Sequence, residues 1–580
     1  MVSRLSPLLF ALLTALLGLA SFAAPEEILA RFAQLDGDIS DRTWIMWGFG
    51  AACFSIALAT LGETYEFTQK IKIELIIMSF LTACLVFFTM QLSNWWIDDA
   101  GITFSYSRTL SEGYGVTFQP GETPTEGYSS SLWMLLLAFA GVIGFDIPVT
   151  AKFVGIACGI ATLLFSSYIV WRQTHNAISL AFSGIAISTA PFVVWISSGQ
   201  EHAMQGLLLL LIAIVVGFEV SRWRLKAAVL LSLLVLTRPE APLIVMATYA
   251  NLMLWSWYKD QNFDILKHLE IALVPFLIFV VLLVWRVIYF GDLLPNPYYA
   301  KASGSDFFGA LNPFGAGWSY ILNGLQASGL MLAVPLFVFA FAVAFNRLLL
   351  AFLAVLGAHI MFILWAGGDW MGQFRFLMPV IPMIAVLAAL GISKIPFPET
   401  RLWCSAICAF IIVTSTVKQV DRFEARPTTP LAVVSEIGSE FARVSDMLDI
   451  SDPLLAHHDA GGIAYDREIR LLDLGGLIDR DVAKNMTNRA FLENYIFVER
   501  QPHFIFGAIN FAARSGFTES DAFFRDYVPL IFENRPIMNS TLSHIRRDHV
   551  IEVEGLIVER AEDSAIVSVT VLNPVESLRN

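Results

Sequence analysis

The feature that most limits what this chain can fold into is a series of apolar runs. Each is close to the roughly 20 residues an α-helix needs to cross a bilayer. They occupy 44–62, 73–92, 150–171, 177–196, 203–219, 241–258, 270–289, 328–345, 348–366, 376–392 and 402–418. A shorter run, 226–237, ends in Thr237-Arg238-Pro239-Glu240. In lipid, backbone N–H and C=O groups must be bonded within the spanning structure, so such runs read as helices. Charge agrees, because only 15% of the 580 residues are charged, against roughly 25% in soluble chains. The expected fold class is a polytopic α-helical membrane protein of about 12–13 transmembrane helices.

The ends of the chain read differently. Residues 4–23 are apolar behind Arg4, and Ser21-Phe22-Ala23 offers a signal-peptidase-like site. Segment 1–24 is therefore either a signal-like segment or a first transmembrane helix. Beyond 419 the charges become dense and apolar runs shrink to strand length, as in Ile566-Val567-Ser568-Val569-Thr570-Val571. Residues 419–580 read as a soluble α/β domain following a membrane module, 25–418.

Lys and Arg near the span ends set the orientation. Lys70 and Lys72, then Arg222, Arg224 and Lys226, then Lys259 and Lys267, then Lys394 and Arg401 mark four cytoplasmic loops. Segment 93–129 has one Arg, no Lys and five acids, and is assigned outside. A crossing by 130–146 would push the basic loop 220–227 to the outside. That run is therefore predicted to lie on or dip into the outer face, within an outer loop 93–149. The domain after 419 is then extracytoplasmic. A net charge of −13 argues against nucleic acid as a partner. The five cysteines fall in apolar stretches and suggest core packing, with no disulfide framework.

The polar residues gather on the outer side. Asp98-Asp99 follow a span directly. Adjacent carboxylates there suit a metal, the deprotonation of an acceptor hydroxyl, or simply a helix start. The same loop holds Arg108, Glu126 and Tyr128, and the next outer loop Glu201 and His202. Arg238 ends a run too short to reach the far surface. An intramembrane cation lines a polar cavity or pairs with an anion, here either Glu240 or a phosphate. Lys301 follows Asn296-Pro297-Tyr298-Tyr299-Ala300, and Gly368-Asp369-Trp370 precede Arg375. Taken together, these cations suggest a site for a lipid phosphate.

The motifs form an ordered set. Asp98-Asp99-Ala100-Gly101-Ile102-Thr103-Phe104 and Thr125-Glu126-Gly127-Tyr128 come first. Trp195-Ile196-Ser197-Ser198-Gly199-Gln200-Glu201, Leu236-Thr237-Arg238-Pro239-Glu240, Gly291-Asp292-Leu293-Leu294-Pro295-Asn296 and Gly368-Asp369-Trp370 follow. Asp459-Ala460-Gly461-Gly462 and Asp473-Leu474-Gly475-Gly476-Leu477-Ile478-Asp479 come last. Over about residues 75–480 this order resembles the terminal arabinofuranosyltransferase family, GT-C-fold enzymes that use polyprenyl-phosphate sugars. The chain departs from that pattern at Gly199-Gln200-Glu201-His202 and at Thr125.

The resemblance implies a GT-C-like glycosyltransferase of a bacterial inner membrane, with its active site on the periplasmic side. It moves a sugar, arabinofuranose by the motifs, from a polyprenyl-phosphate donor to a glycan, lipid or protein acceptor. The implied catalytic residues are Asp98 and Asp99. Arg238, Lys301, Arg375 and Arg108 are the implied phosphate ligands. Glu126, Tyr128, Glu201, His202, Asp369 and Trp370 are candidates for contacting substrate or acceptor. A divalent metal, Mg or Mn, at the Asp pair is compatible with the fold. Two other readings fit the spans: a flippase for lipid-linked sugars, and a non-catalytic glycan-binding scaffold.

Overall fold

The computed structural model describes residues 69–261, 265–302, 313–343, 345–507, 520–532, 542–549 and 569–571. The apolar runs at 4–23 and 44–62 lie outside these residues. Every other run is helical. The helices are α1 (Gln69–Met90), α2 (Asp98–Ser111), α3 (Ser131–Val142), α4 (Ile147–Thr174), α5 (Ala177–Ile187) and α6 (Ala190–Ser197). Next come α7 (His202–Phe218), α8 (Trp223–Thr237), α9 (Ala241–Asp260), α10 (Leu269–Phe290), α11 (Asn296–Ala302) and α12 (Pro313–Ala327). The membrane series closes with α13 (Ala333–Val343), α14 (Arg347–Ala366), α15 (Ile381–Ser393) and α16 (Pro398–Ala425).

Among the described residues, α4, α10, α14 and α16 are long and apolar enough to cross a membrane alone. Two bent pairs qualify together: α5 with α6, at 57°, and Phe314–Ala327 with Leu330–Ala340, at 101°. The first bend falls at Ser188-Thr189, just before Pro191 in the opening turn of α6, where a proline needs no N–H partner. Asn176 and Asn346 cap α5 and α14 by accepting the Ser179 and Leu349 amides. Helix α3 has 12 residues. At 1.5 Å per residue it is about 18 Å long, short of the roughly 30 Å hydrocarbon thickness. The segment between α10 and the apolar run at 328–345 contains α11 and the apolar helix α12.

The chain divides into two compact units. The first comprises 1–95, 151–280 and 311–428, and its described part is helical. The second comprises 96–150, 281–310 and 429–580, so the sheet-bearing part takes in α2 and α3 as well as the C-terminal region.

In the second unit, α17 (Leu431–Met447) leads into β1 (Leu454–His457), α18 (Gly461–Asp466), β2 (Arg470–Asp473), α19 (Arg480–Asn485), α20 (Arg489–Asn494) and β3 (Phe504–Gly507). Then come α21 (Asp521–Asp526), β4 (Tyr527–Phe532), β5 (Leu542–Arg546) and β6 (Val569–Val571). The strand order is β2-β1-β3-β5-β4-β6. β1 pairs parallel with β2 and β3, and the remaining pairs are antiparallel.

Side chains alternate across the sheet as strand geometry requires. Leu455, Leu471, Phe504 and Phe506 join Ile102, Tyr106, Tyr128 and Phe441 in one core. Leu454, Ala456, Leu472 and Ile505 join Tyr495, Phe497 and Phe523 in the other. Both faces of the parallel strands are thus covered, which accounts for the unbroken apolar run Leu471-Leu472.

Asp473 ends β2 with its carboxylate accepting the Gly475 and Ile478 amides, each at 2.8 Å. Burial pushes this carboxyl up to about 7, against the pull of those amides. An exposed Asp titrates near pH 3.9. Between about pH 4 and 7 the folded chain therefore holds a proton that the unfolded chain has released. Stability falls as pH rises through that window, by up to about 1.4 kcal/mol per unit. Thermal unfolding of the full-length protein in detergent, followed from pH 4 to 8, checks this. Asp473→Asn should lose that part of the slope, and identical slopes in parent and variant refute the assignment.

Candidate functional site

Asp98 and Asp99 occupy the first turn of α2, where acidic side chains complement the exposed N–H groups of the helix. Their environments differ. Asp98 is buried, with 4% exposure, whereas Asp99 is partly exposed. The Asp98 carboxylate accepts the Gly461 amide at 3.0 Å and the Gly462 amide at 2.8 Å. Burial first, and then the charge of Asp459, hold Asp98 well above the usual carboxylate range, while the two amides pull the other way. Asp459 leaves β1 two residues before those amides. Its side chain is about a third exposed, with an oxygen 3.6 Å from His458 Nε2.

Motifs distant in sequence meet in this unit. Asn296 donates from Nδ2 to the carbonyls of Gly476, at 2.8 Å, and Asp479, at 3.0 Å, and its backbone N–H donates to the Glu126 carbonyl. Glu126 forms a two-pronged pair with Arg286, at 2.7 and 3.0 Å, and both are buried. Tyr128 is 1% exposed and packs edge-on against Tyr106. Glu126 and Tyr128, expected to contact substrate or acceptor, are thus interior residues. The carboxylate is neutralised by an arginine, and the aromatic ring fills the core shared with the sheet.

Arg286 was not singled out in the sequence. Its signal was available: a lone cation inside the apolar run of α10, which requires a partner. Arg108 donates to Glu112 at 2.9 Å and to the Tyr465 carbonyl at 2.8 Å, so its guanidinium joins α2 to α18. Lys301 lies exposed on α11.

The first unit carries its own polar cluster. Arg238 Nη1 donates to Glu201 at 2.7 Å and its Nε to Glu240 at 3.0 Å. Gln205 donates to the same Glu240 at 2.8 Å. All four are buried. The two alternatives for Arg238 therefore separate: its guanidinium is already shared by two carboxylates, Glu240 and Glu201. Glu201, expected at a binding surface, is its buried counter-ion. His202 is 1% exposed and lies against the Trp195 ring.

Arg375 pairs with Asp369 at 2.7 Å, and its guanidinium sits 5.8 Å from the Trp195 ring centre and 5.2 Å from that of Phe376. Gln373 and Phe374, just before it, both have positive φ, 58° and 50°. Trp195 Nε1 donates to the Gln373 carbonyl at 2.9 Å and steadies this strained turn. Trp370, in the same loop, is 58% exposed.

The first unit also fixes the chain just ahead of the acid pair. Buried Lys152 donates to the carbonyls of Leu92, Ser93 and Trp95 at 2.5–2.9 Å. Trp95 Nε1 donates to the Thr428 carbonyl at 3.0 Å. Among the described residues, no three His, Cys, Asp or Glu side chains converge as a metal site.

A family model described as a domain of unknown function, DUF8728, matches residues 436–549. Comparison with curated proteins gives no match. The fold has relatives among solved structures. ArnT from Cupriavidus metallidurans bound to undecaprenyl phosphate superposes with a TM-score of 0.54 at 12% identity, over 82% of this chain and 98% of that one. The same enzyme in the apo state gives 0.52 at 11% identity, over 81% and 97%. Arabinosyltransferase EmbB from Mycobacterium smegmatis gives 0.38 at 10% identity, over 90% and 49%. The likeness to ArnT shows the GT-C fold of a multi-pass membrane protein with a small C-terminal sheet domain.

The arrangement around Arg238 yields a prediction. Replacing it with Gln leaves Glu201 and Glu240 buried without their cation, and breaking such a pair costs about 3–5 kcal/mol. Arg238→Gln should lower the unfolding temperature of the purified protein markedly. Adding Glu201→Gln and Glu240→Gln should recover much of the loss. A single variant as stable as the parent would show that the triad contributes nothing.

Proposed function

We propose that this protein is a GT-C-type membrane glycosyltransferase. It moves a sugar from a polyprenyl-phosphate donor to a glycan, lipid or protein acceptor on the extracytoplasmic side of a bacterial inner membrane. The observation that carries this reading is the acid pair opening α2, one carboxyl buried and one partly exposed, in a chain with the GT-C fold. The polyprenyl donor is supported by the undecaprenyl phosphate of the ArnT complex. The loop-charge pattern supports the orientation. Arabinofuranose is the sugar that the sequence motifs favour.

In this reading an acceptor hydroxyl attacks the anomeric carbon while a carboxylate of the acid pair takes its proton. The bond from the anomeric carbon to the phosphate oxygen breaks, and the bonding pair leaves on polyprenyl phosphate. Asp99 is the better exposed member of the pair and is assigned the proton transfer. Lys301, exposed on α11, and Arg375, paired with Asp369 in the loop that carries Trp370, are the cations assigned to phosphate. Arg238 and Arg108 have protein partners that account for them and are secondary candidates. Trp370 offers an exposed ring on which a sugar can stack, and Asp369 lies beside it in sequence.

Transfer assays with synthetic polyprenyl-phosphate sugars, arabinofuranose first, test the reaction. Asp99→Asn should reduce kcat by about 100-fold or more, the usual scale for losing a general base, with undecaprenyl-phosphate binding retained. Lys301→Gln and Arg375→Gln should instead raise the KM for donor. Parental turnover in Asp99→Asn would remove Asp99 from the chemistry. Donor flipping without product, or glycan binding alone, would replace the transferase reading by a transporter or a scaffold.

Topology has an independent test. A reporter enzyme that works only outside the cytoplasm, fused after Asn580, should be active. A well-expressed but silent fusion reverses the orientation.

A further inference from the structure

The segment carrying the acid pair is fastened to the C-terminal region by four hydrogen bonds within one unit. The Asp98 backbone N–H donates to the Thr429 carbonyl at 2.9 Å, and the Leu431 N–H donates to the Trp96 carbonyl at 2.8 Å. Ile97 and Pro430 form the antiparallel bridge between these bonds. The Asp98 side chain then reaches past the start of α17 to the amides of Gly461 and Gly462, one oxygen to each.

Glycine makes this approach possible. A Cβ at Gly461 would fall 2.7 Å from both the Asp98 carbonyl carbon and its Oδ1. One at Gly462 would fall 2.6 Å from the Leu431 carbonyl oxygen, and one at Gly101 would fall 2.6 Å from the Gly461 carbonyl carbon. None of the three has a positive φ. Close contact, not backbone freedom, is what requires glycine here.

The geometry has a chemical consequence. With both oxygens engaged by amides and only 4% exposure, Asp98 is placed as an anchor and not as a base open to an acceptor hydroxyl. Asp99, the next residue on the same helix, points about 100° away around the helix axis. Fixing Asp98 therefore fixes the direction of Asp99.

We propose that the Gly461 and Gly462 amides are the seat of Asp98, which acts as a positioning residue, and that through it the C-terminal α/β region aims Asp99 for sugar transfer. That region is then a working part of the catalytic unit and not an appended glycan-binding module. The proposal rests on the glycosyltransferase reading for its chemistry, but the seat itself can be measured without it.

Two measurements on the full-length protein decide the matter. The first is transfer kinetics. Gly461→Ala and Asp98→Ala should each lower kcat by about 100-fold, because the base they aim contributes on that scale. The KM for donor should stay within about twofold and undecaprenyl-phosphate binding should be retained. Asp98→Asn keeps one acceptor oxygen and should fall between these variants and the parent. The second is hydrogen–deuterium exchange of the peptide spanning 459–464. It should be protected in the parent and exchange faster in Asp98→Ala, whose fold is checked by protection elsewhere in the sheet.

Parental kcat in Asp98→Ala, or unchanged exchange at 461–462, overturns the proposal. So does a loss of donor binding equal to the loss of kcat, which would mark Asp98 as a merely structural residue. A parent that transfers no sugar, combined with faster exchange in Asp98→Ala, would refute the glycosyltransferase reading and leave the seat standing.

Discussion

A charge taken out of water must meet an opposite charge or converging hydrogen-bond partners, and the architecture depends on how four such charges are met. Arg238 lies between two glutamates, Arg286 grips Glu126, Lys152 donates to three carbonyls, and Asp98 rests on two amides. Each joins segments distant in sequence. An isolated buried charge costs several kcal/mol even after relaxation, so these residues bring their partners together with a specificity that apolar packing lacks.

Two of these ties bracket the acid pair. Lys152 and Trp95 hold the chain up to Trp95 within the first unit, and the Thr429 and Gly461–Gly462 bonds hold it from Asp98 onward within the second. In the proposed reaction the bonds within the second unit matter, because catalytic groups need to be held to within about 0.5 Å. By contrast, the loop carrying Arg375 keeps two consecutive residues in the left-handed region, where non-glycine residues are strained.

The GT-C fold does not by itself choose a sugar or an acceptor, since one fold hosts several functions and function resides in particular sites. What narrows the reading is the division within the acid pair and among the cations. Buried, doubly engaged groups such as Asp98 and Arg238 are committed to holding the protein together. Asp99, Lys301 and Arg375 are the groups that the proposed reaction assigns to proton transfer and to phosphate.

Hydrophobic pattern determined the apolar helices. From 73–92 to 402–418 each apolar run is helical, the one at 177–196 as two helices with a bend, because backbone bonding in lipid leaves few other solutions. The loop charges predict that 130–146 does not cross, and its helix α3 has 12 residues. Motif order pointed to the fold. Only tertiary structure decided which polar residues face inward. Glu126, Tyr128, Glu201 and His202 look like a pocket rim in a linear sequence, yet they are buried: the first three meet partners from elements tens to hundreds of residues away, and His202 packs on Trp195. The same holds for Asp98 and Asp99. They are chemically identical neighbours in the sequence, and they become different residues when Gly461 and Gly462, more than 360 positions downstream, supply amides to one of them.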